Sequence, residues 1–108
     1  MSVIKNLTPH SINILDADNN IVTTFPSEGI ARCNKNSVKV SEWYGIPINT
    51  VKYSETTGLP DPDLNSIYIV SLIVAQANPQ RDDLLVVDDV VRSTDGSTVL
   101  GCRAFSKV

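Results

Sequence analysis

Along the first third of the chain the apolar positions fall at a spacing of two. Ser11-Ile12-Asn13-Ile14-Leu15 alternates polar and apolar residues, as a half-buried strand does. Asp16 to Asn20 then supplies turn formers, and Ile21 to Phe25 resumes a β-branched run. This predicts a hairpin with Asp18-Asn19-Asn20 at its tip, since Asn and Asp tolerate left-handed backbone angles. Pro26 and Gly29 punctuate the chain. Beyond them Ile30-Ala31-Arg32-Cys33 and Ser37-Val38-Lys39-Val40 read as two short strands or one bulged strand. Trp43 and Tyr44 are expected to cover one end of the core. Ile46 to Tyr53 is strand-like, with Pro47 implying an edge or a strand start.

From Ser54 to Ser66 the residues are those of a loop, Gly58-Leu59-Pro60-Asp61-Pro62-Asp63 among them. A loop of about a dozen residues is uncommon in a compact domain, and is either functional or simply irregular chain. Ile67-Tyr68-Ile69-Val70 is a buried-strand run, after which Ser71 offers an N-cap for a helix from Leu72 to Asn78 that Pro79 ends. A strand competes with that helix, because Ile and Val fill its first half. Leu84 to Val87 reads as a strand. Val90 to Ser93 and Val99 to Phe105 pair across an Asp95-Gly96 turn. The elements predict a β-rich α+β fold, a small antiparallel sheet or barrel carrying one short helix.

The 108 residues are expected to form a single domain, spanning 1–108, since this length supports one hydrophobic core and not two. A hydrophobic fraction of 42% with 19% charged residues is that of a folded chain. No signal peptide is read at the N-terminus, and the longest apolar stretch, Ile67 to Ala77, falls well below the roughly 20 residues of a spanning helix. No membrane association is expected. The two cysteines, Cys33 and Cys102, lack CxxC spacing and are read as buried free thiols, with neither a structural bridge nor a zinc site. A net charge of −3 argues against nonspecific nucleic-acid binding, which draws its affinity from a basic face.

Catalytic signatures are sparse. His10 is the only histidine, so any triad would need it as base, and no nucleophile-elbow motif accompanies a serine. It reads either as a ligand contact or as a structural hydrogen-bonding residue beside a turn. The five glycines are isolated and form no phosphate loop. The acidic pairs Asp61 with Asp63, Asp82 with Asp83, and Asp88 with Asp89 read as solvated turn carboxylates, not as a calcium loop. Arginine is the more informative residue type. Arg32 and Arg103 adjoin Cys33 and Cys102 among apolar strand residues, and Arg81 and Arg92 complete the set. Each reads either as a planar fork that grips phosphate or carboxylate, or as a surface side chain with its stem laid on apolar neighbours. An aromatic such as Phe105 stacked on a base would complete a nucleotide pocket with the arginines, without metal or cofactor.

Asn6-Leu7-Thr8-Pro9-His10, Pro26-Ser27-Glu28-Gly29-Ile30-Ala31-Arg32, Gly58-Leu59-Pro60, Tyr68-Ile69-Val70-Ser71 and Gly101-Cys102-Arg103 together resemble small proteins of tailed-phage and prophage genomes. In size and general composition the chain is also similar to the Thoeris anti-defence sponges, which sequester cyclic ADP-ribose-type signals in pockets between subunits. These resemblances imply a phage accessory protein of the bacterial host cytoplasm, non-enzymatic and homo-oligomeric, that sequesters a small anionic immune signal. From their own chemistry, and not from a matched motif, the ligand-binding residues are expected to be Arg32, Arg103, Phe105, His10 and Arg81. A protein-binding inhibitor of a host defence enzyme, or a small virion component, is the alternative, using sheet edges and the Ser54 to Ser66 loop.

Overall fold

The computed structural model describes residues 3–108. Eight strands and one helix follow in the order β1 (Val3–Asn6), β2 (Ile12–Leu15), β3 (Ile21–Phe25), β4 (Lys35–Trp43), β5 (Ile46–Tyr53), β6 (Ser66–Ile69), α1 (Leu72–Ala77), β7 (Leu84–Arg92) and β8 (Val99–Ser106). Six of the strands form one sheet in the order β1-β6-β7-β8-β2-β3, and β4 pairs only with β5. The fold is thus β-rich with one short helix, as the sequence pattern implies.

The sheet is mixed where a small antiparallel one was expected. β1 runs parallel to β6, β6 to β7, and β2 to β8, while β7–β8 and β2–β3 are antiparallel hairpins. Parallel neighbours need a crossover, and β6-α1-β7 supplies it with a helix of six residues. Ser71 caps that helix, its Oγ accepting from the Val74 amide, and Asn78 ends it. The crossover also explains the unbroken apolar run at Ile67 to Val70, since a strand covered on both faces has no polar side to show.

Each face of β6 serves a different core. Tyr68 and Val70 face α1 and pack with Val74, Ala75, Leu84, Val86, Leu7 and Ala31. Ile69 points the other way, into a second cluster with Ile12 and Cys102 on which Ile4, Ile14, Phe25 and Phe105 pack. The two outermost strands of the sheet meet at a single bridge between Asn6 and Ser27, where the Glu28 amide donates to the Asn6 carbonyl at 2.9 Å. That bridge draws the six strands toward a ring around the second cluster.

Asn6 makes the closure. Its side chain is fully buried, and its amide nitrogen donates to the carbonyls of His10 at 2.7 Å and Phe25 at 2.9 Å. Its Oδ1 accepts from the backbone amide of Thr8 at 2.9 Å and from the Thr8 hydroxyl at 2.6 Å. Two donors and two lone pairs are the whole capacity of a carboxamide, and all are used. The Ser27 hydroxyl donates to the Thr8 carbonyl at 2.6 Å and fastens the same loop from the β3 side. The segment Asn6-Leu7-Thr8-Pro9-His10 is therefore a structural latch.

The β4–β5 hairpin leaves this body as an arm. Its strands pack on each other and on little else, and every residue from Asn34 to Lys52 is exposed. The radius of gyration is 16.7 Å, against about 13 Å for a compact chain of this length. At the far end Trp43 pairs with Ile46, leaving Tyr44 (φ 48°) and Gly45 (φ 75°) as a two-residue turn with both φ values positive. This overturns the expectation that Trp43 and Tyr44 cover the core: they are 66% and 85% exposed at the arm's tip. Of the expected strand Ile30 to Cys33 only a bridge remains, Arg32 with Thr57. The Asp18-Asn19-Asn20 tip is as expected, with Asn19 at φ 64°.

Replacing Asn6 by Ala leaves two carbonyls and the Thr8 amide without their partner at a part-buried site, each at up to about 1–3 kcal/mol. We expect urea unfolding of Asn6→Ala to show a loss of about 3 kcal/mol with an unchanged m-value. A loss under about 1 kcal/mol would mean that the latch is not what holds the two edges together.

Candidate functional site

A cavity of about 600 Å³ opens beside the latch, a volume that suits a small-molecule ligand. The parallel strands β1 and β6 both run toward it: the chain leaves β1 through Thr8 and His10, and leaves β6 through Val70, Ser71 and Leu72. Ligands of parallel sheets gather beyond the carboxyl ends of the strands, because there the connections diverge and leave a crevice. Val86, Val87 and Val90 of β7 and Val99 and Leu100 of β8 build an apolar wall. Thr8, Ser11, Asn13 and Ser71 bring the polar atoms.

Local sequence fixes this geometry in two places. Gly101 lies where β8 passes β2, and a Cβ there would stand 2.5 Å from the Asn13 carbonyl oxygen, so no larger residue fits. Asn13 itself is oriented by the Thr24 hydroxyl, which donates to its Oδ1 at 2.9 Å, and by the Leu100 carbonyl, which accepts from its amide at 3.3 Å. His10 and Cys102 are the ionisable side chains in the lining. Burial pushes the Cys102 thiol up from its ordinary pKa, partly offset by the amide of Ala104, so it remains a protonated wall group and a poor nucleophile. Among the described residues no cluster of three His, Cys, Asp or Glu side chains is placed to hold a metal ion.

Of the five residues expected to bind a ligand, the cavity takes in His10 alone. Arg103 faces the β2–β3 turn, where its guanidinium donates to the Asp16 carbonyl at 3.2 Å and to Asn19 Oδ1, with Asp89 Oδ1 at 3.7 Å. Phe105 packs on Phe25 in the inner cluster, ring centroids 6.1 Å apart. Arg32 is exposed at its bridge to Thr57. Arg81 grips Asp83 with two parallel bonds of 2.8 Å and donates a third at 2.9 Å to the Pro60 carbonyl. These three arginines are dispersed over the body, and Arg81 and Arg103 clamp parts of it. Arg81 thereby pins the long Ser54 to Ser66 loop, whose Leu59 also packs on the helix-side core.

The contributions of Thr8, Ser11, Asn13 and Ser71 carried no signal in the sequence. Small polar residues on strands and caps are common, and only the parallel pairing brings these to one opening. A faint cue was the polar phase of the strand Ser11 to Leu15, which puts Ser11 and Asn13 on one side. The arrangement is that of a β-rich domain with a ligand-sized cavity whose largely apolar lining includes a few polar side chains. Searches of family models, curated proteins and solved structures find no match to the chain. No described helix is long and apolar enough to cross a membrane.

The Arg81–Asp83 clamp sets a pH dependence. Hydrogen bonding from Arg81, reinforced by its charge and opposed by burial, holds the Asp83 carboxyl below the usual carboxylate range. A group whose folded pKa is depressed stabilises the fold above its unfolded pKa, near 3.9, and that contribution is lost as pH falls through the folded value. Asp83→Asn should cost about 2 kcal/mol at pH 7 and flatten the decline of stability below about pH 4, as read by denaturant midpoints across pH. An unchanged acid limb would show that other carboxylates control it.

Proposed function

We propose that this chain is a non-enzymatic phage accessory protein that binds and sequesters a small nucleotide-like signal of host immunity. What supports the reading is the cavity at His10, of nucleotide scale, with a lining that is largely apolar and carries a few polar side chains. The apolar wall of β7 and β8 suits the face of a base, and Ser11, Asn13, Thr8 and Ser71 suit the hydroxyls and edge groups of a nucleoside. Such retention asks for shape and hydrogen bonds and needs no base, metal or cofactor. With no arginine in the cavity lining, and Arg81 and Arg103 engaged elsewhere, an anionic moiety would point out of the cavity mouth, where solvent and His10 meet it. The ligand class of this proposal is a cyclic nucleotide or ADP-ribose derivative, and the compartment is the host cytoplasm.

A second reading, a protein-binding inhibitor of a host enzyme or a small virion component, draws on the β4–β5 arm. A two-stranded ribbon with an apolar face is a common docking element. The Ser54 to Ser66 loop contributes less to that reading, since Arg81 and the core fasten it.

Calorimetry against a panel of cyclic nucleotides and ADP-ribose derivatives tests the first reading. Binding should appear for at least one member, and Val90→Phe, which fills the cavity from a part-exposed position, should abolish it without lowering the thermal midpoint. His10→Ala should weaken binding about tenfold, equal to roughly 1.4 kcal/mol. Absence of heat across the panel at high protein concentration removes the proposal. Retained turnover of a bound nucleotide would convert it into an enzyme.

A further inference from the structure

The arm has two unlike faces. From the register, Asn36, Val38, Ser41, Trp43, Ile46, Ile48, Thr50 and Lys52 share one side, and Lys35, Ser37, Lys39, Glu42, Pro47, Asn49, Val51 and Tyr53 share the other, so the contrast between the faces is strongest toward the tip. Trp43, Ile46, Ile48 and Val38 are 66%, 61%, 46% and 38% exposed, so an apolar stripe faces water along the arm. A lone two-stranded hairpin is marginal in water at best. The tip adds to that cost: Tyr44 holds a positive φ that Asn or Asp would adopt more readily, and in exchange presents an almost fully exposed ring, edge-on to Trp43 at 4.6 Å.

We propose that the arm of each copy lies across the body of a second copy in a reciprocal exchange, its apolar face on the rim formed by Leu72, Val87, Val90, Val99 and Leu100. Three observations select this occupant. First, those rim residues are themselves 39–54% exposed and adjoin one opening, an apolar surface to match the stripe. Second, the charges are complementary. The arm, residues 35–53, carries Lys35, Lys39 and Lys52 against Glu42, a net +2, so a total of −3 leaves −5 on the rest of the chain. Arm on body is therefore attractive, and arm on arm repulsive.

Third, the areas agree. Tyr44 and Trp43 each bury about 150–250 Å² when covered. With the aliphatic residues, one arm still falls short of the roughly 800 Å² per partner of a specific complex. An exchange makes each copy donor and acceptor at once, which doubles the contact and meets the requirement. A two-fold axis generates such a pair without leaving an open end to propagate. These rim residues also line the cavity, so the contact covers part of its mouth.

Trp43 is the only tryptophan, so its emission reports on the arm alone. Light scattering should give twice the monomer mass of 11.8 kDa, and dilution should move the emission from blue to solvent-like as the mass falls. Tyr44→Asn, which favours the turn while removing the ring, and Val99→Lys on the rim, which sets a charge of the arm's own sign against it, should each weaken the dimer at least about tenfold. To locate the contact, a Tyr44→Cys variant is mixed with a separately tagged Val99→Cys variant under oxidation. Disulfides between the two tags support the exchange. Bridges solely between Tyr44→Cys copies place arm on arm and overturn it. So does a monomeric mass with a concentration-independent, solvent-like emission.

Discussion

A buried carboxamide with every hydrogen-bonding group engaged organises the body. Asn6 is the last residue of β1, the edge strand, and from there its side chain reaches the loop that follows and the end of the opposite edge strand at Phe25. Hydrophobic packing alone would not choose this arrangement, because the inner cluster of Ile12, Ile69 and Cys102 would tolerate a sheet left open along one edge. A polar group buried to this degree costs several kcal/mol unless satisfied, and the conformation of the segment through His10 satisfies it in full. Directionality therefore supplies what apolar burial does not. Since the same loop then forms one lip of the cavity, closing the sheet and shaping the cavity follow from a single constraint.

Local pattern carried the elements that local physics determines. The β2–β3 hairpin, the Ser71-capped helix and the β7–β8 hairpin all depend on residues within a few positions of one another, and each lies where periodicity and turn chemistry put it. Parallel pairing was not legible. β1 is four residues without alternation, and its partner lies about sixty positions away, so nothing within Val3–Asn6 announces a strand. The cavity inherits that opacity, because it is assembled from the ends of parallel strands. Val86, Val90 and Leu100 look like ordinary core residues in the sequence, and only the pairing of β7 with β8 leaves part of them beside an opening.

The arginines show how residue chemistry misleads when geometry is unknown. A planar fork with five donors suits an anionic ligand, yet carboxylates and carbonyls of the same chain suit it equally well. Arg81 meets both oxygens of Asp83 and the carbonyl of Pro60, and Arg103 meets the carbonyl end of the β2–β3 turn. In each case the guanidinium joins segments that have few apolar contacts of their own. A chain with one short helix and long irregular stretches needs such cross-ties, and Arg81 and Arg103 supply two of them. The sequence holds twelve acidic residues and nine basic ones, and that surplus of acceptors makes internal pairing the easier fate for a guanidinium.

The arm is the one element in which local rules conflict with the solitary chain. Its strands read correctly from residues 37–40 and 46–53, but the same reading placed Trp43 and Tyr44 against the core, since large aromatics are expected to be covered. The chain supplies no cover for either ring. The bulge between Lys39 and Ser41 sharpens the point. Without it, the pairing of Lys39 with Asn49 would continue in phase and turn Trp43 to the lysine face. The extra residue, Val40, resets the register so that Trp43 joins Val38, Ile46 and Ile48 on one side. A bulge that gathers apolar residues on the outside of a monomer works against that monomer's solubility, and is consistent with a ribbon whose apolar face is shaped for a surface beyond its own chain.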